Sequence, residues 1–284
     1  MNYRKVSAGA GWQWIVEGWR LFASRPGALL LALIVMILVQ LALSLVPFIG
    51  SLISMVVTPA LVGGLYLLVD RIAQVRRDVA VDPLAREQGV PLSLLFDGLT
   101  EPARRGPLLS LGGLSLLVNF FLAVLLVTTM SLPEDPAILQ EIDQEQLKAM
   151  IAGVSPWAWL LLFAGWALWM AAMTFAVPLA ALGGQPALAA LRQSLAAIAA
   201  NLGAFLVFGL VSAGLGMLAM MPMGLGLILF VPVMVAAVYA AYQSVFGEVS
   251  GSAGSPGSGN EEPLPSAQPD EGVHRPRRPG QMEF

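Results

Sequence analysis

Six apolar runs of about 20 residues or more dominate this 284-residue chain, at 27–46, 48–69, 107–131, 156–182, 202–221 and 224–246. As a helix, a run of that length crosses the roughly 30 Å hydrocarbon layer of a bilayer. Lipid offers the backbone no hydrogen-bond partner, so a spanning segment has to satisfy its own amides, as a helix does. The expected class is therefore all-α, a polytopic membrane helix bundle. Composition agrees, with 57% hydrophobic and 12% charged residues, where a soluble domain carries about 25% charged. The expected division is a six-span membrane domain over 1–247 and a disordered tail over 248–284, rich in Gly, Ser, Pro and Glu. The first run ends in Ser44-Leu45-Val46-Pro47 without an A-x-A-like cleavage site, so it reads as a retained span and not a signal peptide.

Charge sets the expected orientation. With six spans, fourteen of the fifteen Lys and Arg residues fall on one side: Arg4, Lys5, Arg20, Arg25, the arginines of the 70–106 loop, Arg192 and those of the tail. Only Lys148 falls on the other. Basic flanks stay in the cytoplasm, which places both termini there. Tyr66, Tyr239 and Tyr242 then lie near the cytoplasmic ends of their spans, and Trp157 and Trp159 at an outer end, as headgroup belts favour.

Three segments share a pattern. Pro59-Ala60-Leu61-Val62-Gly63-Gly64-Leu65-Tyr66 and Pro232-Val233-Met234-Val235-Ala236-Ala237-Val238-Tyr239 place proline, paired small residues and tyrosine at the same offsets, and Pro178–Gln185 follows without the tyrosine. Each unit also opens alike, with Glu17-Gly18, Asp97-Gly98 and Gln193-Ser194 standing seven residues before Arg25, Arg105 and Asn201. The expected architecture is three parallel helical-hairpin repeats, each entered by a cytoplasmic surface helix. In the first surface helix Trp12, Ile15, Val16, Trp19 and Phe22 form one apolar stripe, either lying in the membrane interface or packing on the bundle. Trp12, Trp14, Trp19, Arg25 and Arg105 are the chain's candidate interfacial anchors.

The opening Val6-Ser7-Ala8-Gly9-Ala10-Gly11-Trp12-Gln13-Trp14-Ile15-Val16-Glu17-Gly18-Trp19 and the ending 232–247 resemble a family of proteobacterial six-span inner-membrane proteins of unknown function. More remotely, the repeat is similar to the membrane domain beside some glycerophosphodiester phosphodiesterases. The resemblance covers residues 3–247 and implies location in a bacterial inner membrane. It implies no activity, because the soluble phosphodiesterase domain is absent.

Several functions are disfavoured. A net charge of −3 argues against nucleic acid as a partner. There is no cysteine, and the one histidine, His274, lies in the tail, so thiol chemistry and His-rich metal sites are excluded. No ionisable residue lies mid-span, which speaks against proton coupling and intramembrane proteolysis. Glu17, Asp97 and Glu101 are surface carboxylates without a convergent partner in the sequence, so no cofactor and no enzymatic role are expected.

The candidate positions are therefore polar or kinking. Gln40 and Asn119 are expected to bond between helices. Pro59, Pro178 and Pro232 each free a backbone carbonyl one turn back, either lining a cavity or bending three helices alike so that the bundle closes. Ala60-xxx-Gly64 and Ala236-xxx-Ala240 allow close helix approach. Trp166 and Trp169 either line an apolar pocket or fill space opposite Gly209, Gly214 and Gly216. An acidic outer helix is expected over 136–152, capped by Asp135 and stopped at Gly153. Two functional readings result. One is a non-enzymatic organiser that binds membrane lipids or another membrane protein. The other is a permease or exporter for a small or apolar solute through the proline-kinked bundle.

Overall fold

The structure, a computed structural model, describes residues 3–130 and 143–252. All regular structure among them is helical. Ala10–Ser24 is α1, Pro26–Ser44 α2, Ile49–Val81 α3, Leu94–Thr100 α4 and Pro102–Thr129 α5. Gln144–Ala152 is α6, Pro156–Ala181 α7, Ala187–Ala200 α8, Leu202–Met220 α9 and Leu227–Ser252 α10. Six of these, α2, α3, α5, α7, α9 and α10, are long and apolar enough to cross a membrane, as befits a multi-pass membrane protein.

Three boundaries differ from expectation. The second span was drawn to 69, yet α3 runs on to Val81 because Ile72 and Val75 continue its buried face past Asp70 and Arg71. At 33 residues it is about 50 Å long, so about 20 Å stands clear of the hydrocarbon layer. The third span starts at Pro102 and not 107, since a proline in the first turn needs no amide partner. The last helix reaches Ser252, past the tail boundary at 248. The tail beyond 252 lies outside the described residues, as do Glu134, Asp135, Ile138, Leu139 and Ile142 of the outer segment. What is described there is α6. Asp143 caps it reciprocally with Gln146, and it stops at the expected Gly153.

Burial divides every span in the same sense. Call the basic end the one that carries Arg25, Arg71, Arg104 and Arg192. There α2 buries Leu29 and Ala32, α5 buries Leu108, Leu111, Gly112 and Ser115, α7 buries Ala172 and Phe175–Ala181, and α9 buries Ala204. Toward the opposite, far end the spans carry exposed apolar side chains, such as Leu41, Ile53, Phe121, Leu161, Met217 and Ile228. The bundle is pinned at its basic end and splayed at its far end. The central helices are α3 and α10, with half of their apolar window buried; α9, with 6%, is peripheral.

Short helices make the pin. The largest helix-to-helix packings set α1 on α10, α4 on α3 and α8 on α7, alongside α5 on α3. Two use glycine for close approach: a Cβ at Gly18 would meet Ala237, and one at Gly64 would strike the Leu95 backbone. The third uses Ser194, which is fully buried. Its hydroxyl donates to the Ala171 carbonyl at 2.9 Å and accepts from the Phe175 amide at 3.1 Å. It thus enters the α7 hydrogen-bond ladder one turn before Pro178, a known cause of helix bending. At the far end, α2–α3 and α9–α10 turn through Pro47-Phe48 and Pro222-Met223, where Phe48 and Met223 both take positive φ, 57° and 55°.

Candidate functional site

Between α3, α7 and α10 lies an open space of about 260 Å³, lined by Thr58, Pro59, Val62, Met170, Met173 and Val238, among others. All three kink prolines are buried, and only Pro59 borders this space. Tyr66 and Val177 close it toward the basic end, where Leu65, Leu68, Phe175, Leu179 and Ala236 are buried behind them. The space therefore borders mid-span residues and meets packed side chains toward the basic end. Its polar atoms are few. Thr174 Oγ donates to Met170 O on its own helix.

Gln40 ties α2 to α3 as expected. Its amide donates to Thr58 Oγ1 at 2.7 Å and its carbonyl accepts from Ser54 Oγ at 2.5 Å. Asn119 does not bridge helices. Its amide donates to Ser115 O one turn back on α5, at 2.8 Å, on an exposed face. Local back-bonding of this kind satisfies an amide without a neighbour. Trp166 is 50% exposed and stacks on Phe163, whereas Trp169 packs against the core. Neither role involves the glycines proposed opposite them, because a Cβ at Gly209 or Gly214 meets nothing within 4 Å, and one at Gly216 faces Phe230.

The α1 anchors divide between two faces. Trp12 and Trp19, seven residues apart, are 54% and 52% exposed. Trp14 is no interfacial anchor. It is 3% exposed, donates its indole N–H to Ser244 Oγ at 2.8 Å, and lies against Phe205 at 5.1 Å between ring centroids. Two residues apart on a helix are about 200° apart, so Trp14 takes the Gly11–Ile15–Gly18–Phe22 face that docks on α9 and α10. Arg25 donates to Gln88 O at 3.2 Å. Arg105 is exposed; its neighbour Arg104 makes the tertiary bond, from Nε to Ala181 O at 2.9 Å.

A second concavity opens at the basic end. A cleft of about 410 Å³ lies between α1, the extension of α3, and α10, lined by Glu17, Arg76, Arg77, Tyr239 and Gln243 with small side chains between them. Glu17 pairs with Arg76 and, at 3.5 Å, with Arg20. Tyr239 donates to Asp70 Oδ1 at 2.6 Å, and Gln74 donates to Asp70 Oδ2. Arg77 makes no ion pair with a carboxylate of the described residues.

Sequence reading missed this polar network, because Glu17 and Arg76 are far apart in the chain and only tertiary packing joins them. It also missed Asn201, which is 3% exposed and holds the N-terminal segment by accepting from the Val6 amide at 2.7 Å and donating to Arg4 O at 3.1 Å. The repeat comparison had marked Asn201 by position, though not by role. Among the described residues no group of three His, Cys, Asp or Glu side chains gathers as a metal site would require. Comparison with protein-family models, curated proteins and solved structures finds no match.

Proposed function

We propose that this chain is a non-enzymatic inner-membrane protein that binds lipid in the apolar space between its splayed spans and thereby organises the surrounding membrane. The observation that carries the reading is the uneven burial: a packed basic end below an open, uncharged, apolar interior that reaches Pro59. Acyl chains suit such a space, since they need no polar partner and few are offered. The positive-inside rule puts the basic end and both termini in the cytoplasm. Three hairpin repeats about one axis are part of the same proposal. They draw support from the cyclic order of packing, with each surface helix seated on the returning span of the preceding unit, α1 on α10, α4 on α3 and α8 on α7. Kinship with the six-span proteobacterial family rests on its two end motifs.

The test uses the full chain in nanodiscs. Native mass spectrometry is expected to show retained lipid, and a lipid with a photoreactive acyl tail is expected to label Met170 or Met173. Absence of retained lipid would refute the reading. One observation favours the permease alternative, namely that the open space reaches a kink proline at mid-span. That alternative requires Pro59→Ala to abolish solute flux in proteoliposomes while the fold is kept.

A further inference from the structure

We propose that the cleft between α1, the extension of α3 and α10 is a binding site for the phosphate of an anionic lipid headgroup. The inference rests on the reading of the protein as a lipid binder, but concerns a different site from the acyl space. Charge is the first argument. Two guanidiniums, those of Arg76 and Arg77, line the cleft with one carboxylate, Glu17, which already pairs with Arg76 and, at 3.5 Å, with Arg20. Of the two acids on α3, Asp70 is turned to Tyr239 and Gln74, Asp78 is exposed, and neither lines the cleft. Arg77 on the cleft wall has no carboxylate partner among the described residues. A phosphate oxygen pair matches the fork of a guanidinium, and the half-buried Gln243 offers a further polar group.

Shape is the second argument. Ala73, Ala80 and Ala240 leave the wall without bulk, so the cleft holds about 410 Å³, within the size of small-ligand sites. Position is the third. Glu17 and Leu21 of the cleft belong to α1, the helix that exposes Trp12 and Trp19 beside them. Rings of this kind settle at headgroup depth, which brings the cleft to the level of lipid phosphates. A basic, concave, interfacial cleft is what a lipid phosphate recognises.

The full chain is placed in nanodiscs of phosphatidylcholine and phosphatidylglycerol in equal parts, and retained lipids are counted by native mass spectrometry. Wild type is expected to hold phosphatidylglycerol in preference to phosphatidylcholine. The Arg76→Gln/Arg77→Gln double variant is expected to lose that preference by about tenfold or more, from the surface attraction of two basic side chains. Arg192→Gln, exposed on α8 and outside the cleft, should stay within about twofold of wild type, as a solvent-screened charge does. Arg77→Gln alone, which breaks no ion pair among the described residues, serves should the double variant fail to fold, and it is expected to reduce the preference severalfold. Undiminished preference in the Arg77 and double variants overturns the site while leaving the acyl-chain reading intact. Failure of wild type to retain any lipid overturns that reading as well. Displacement of phosphatidylglycerol by inorganic phosphate overturns the lipid assignment in favour of a soluble phosphate.

Discussion

Replacing Gly18 by alanine tests the seam that seats α1. A Cβ at this position falls 2.6 Å from the Ala237 nitrogen and 2.8 Å from its Cα and Cβ. Carbon atoms settle at about 3.5–4.0 Å, so α1 has to retreat by about 1 Å. The retreat stretches the Trp14–Ser244 hydrogen bond, now 2.8 Å, beyond bonding range, and loosens Ile15, Leu21 and Phe22 on the same face. Overpacking of a well-fitted contact costs about 1–3 kcal/mol. Alanine also favours a helix over glycine by up to about 1 kcal/mol, and a control removes that term. Gly209→Ala gains the same propensity with no atom within 4 Å of the new methyl. For a domain of this size about 1 kcal/mol shifts Tm by about 2–4 °C. Gly18→Ala should therefore melt about 2–12 °C below Gly209→Ala. The assay is thermal unfolding of the full chain in detergent, followed by tryptophan fluorescence, to which Trp14 at the seam contributes. Equal melting of the two variants would mean that α1 does not rest on α10 in this way.

Two further substitution pairs separate the roles given to similar residues. Trp14→Ala should destabilise by about 3–5 kcal/mol, as loss of a buried ring does, whereas Trp12→Ala should leave Tm nearly unchanged and weaken only attachment of α1 to lipid, read by quenching with brominated lipids. Gln40→Leu should cost about 1–2 kcal/mol through its lost bonds to Ser54 and Thr58, while Asn119→Leu, which breaks only a bond within α5, should cost less than about 0.5 kcal/mol, both read by denaturant or thermal unfolding in the same detergent.

The spans were legible because twenty apolar residues have few alternatives in a polar solvent. The end of α3 was not, since hydropathy stops at Asp70 while the buried stripe goes on through Ile72 and Val75 at helical spacing. In α1 two apolar arcs lie side by side, and the sequence reading took the one through Trp12 and Trp19. The informative signal was the pair Gly11 and Gly18, which fall on the Trp14 arc and mark the side able to approach another helix. Splaying of the far end has no sequence mark, because lipid and protein neighbours are equally apolar and hydropathy treats them alike. Ser194 was visible as the serine standing where two other units have glycine, but a hydroxyl that enters a helix ladder looks the same in sequence as one facing solvent. The basic cleft needed coordinates, as its three walls come from α1, α3 and α10, far apart in the chain.

Because α1 is seated on α10, biosynthesis of this protein has a long unfinished stage. Ala237 leaves the ribosome about 220 residues after Gly18, on the order of ten to forty seconds at ordinary elongation rates. Until α9 and α10 are made the Trp14 face is without its seat, and quality control has an uncovered aromatic surface to inspect. Nascent chains halted before α9 should accordingly be degraded faster than chains that include α10.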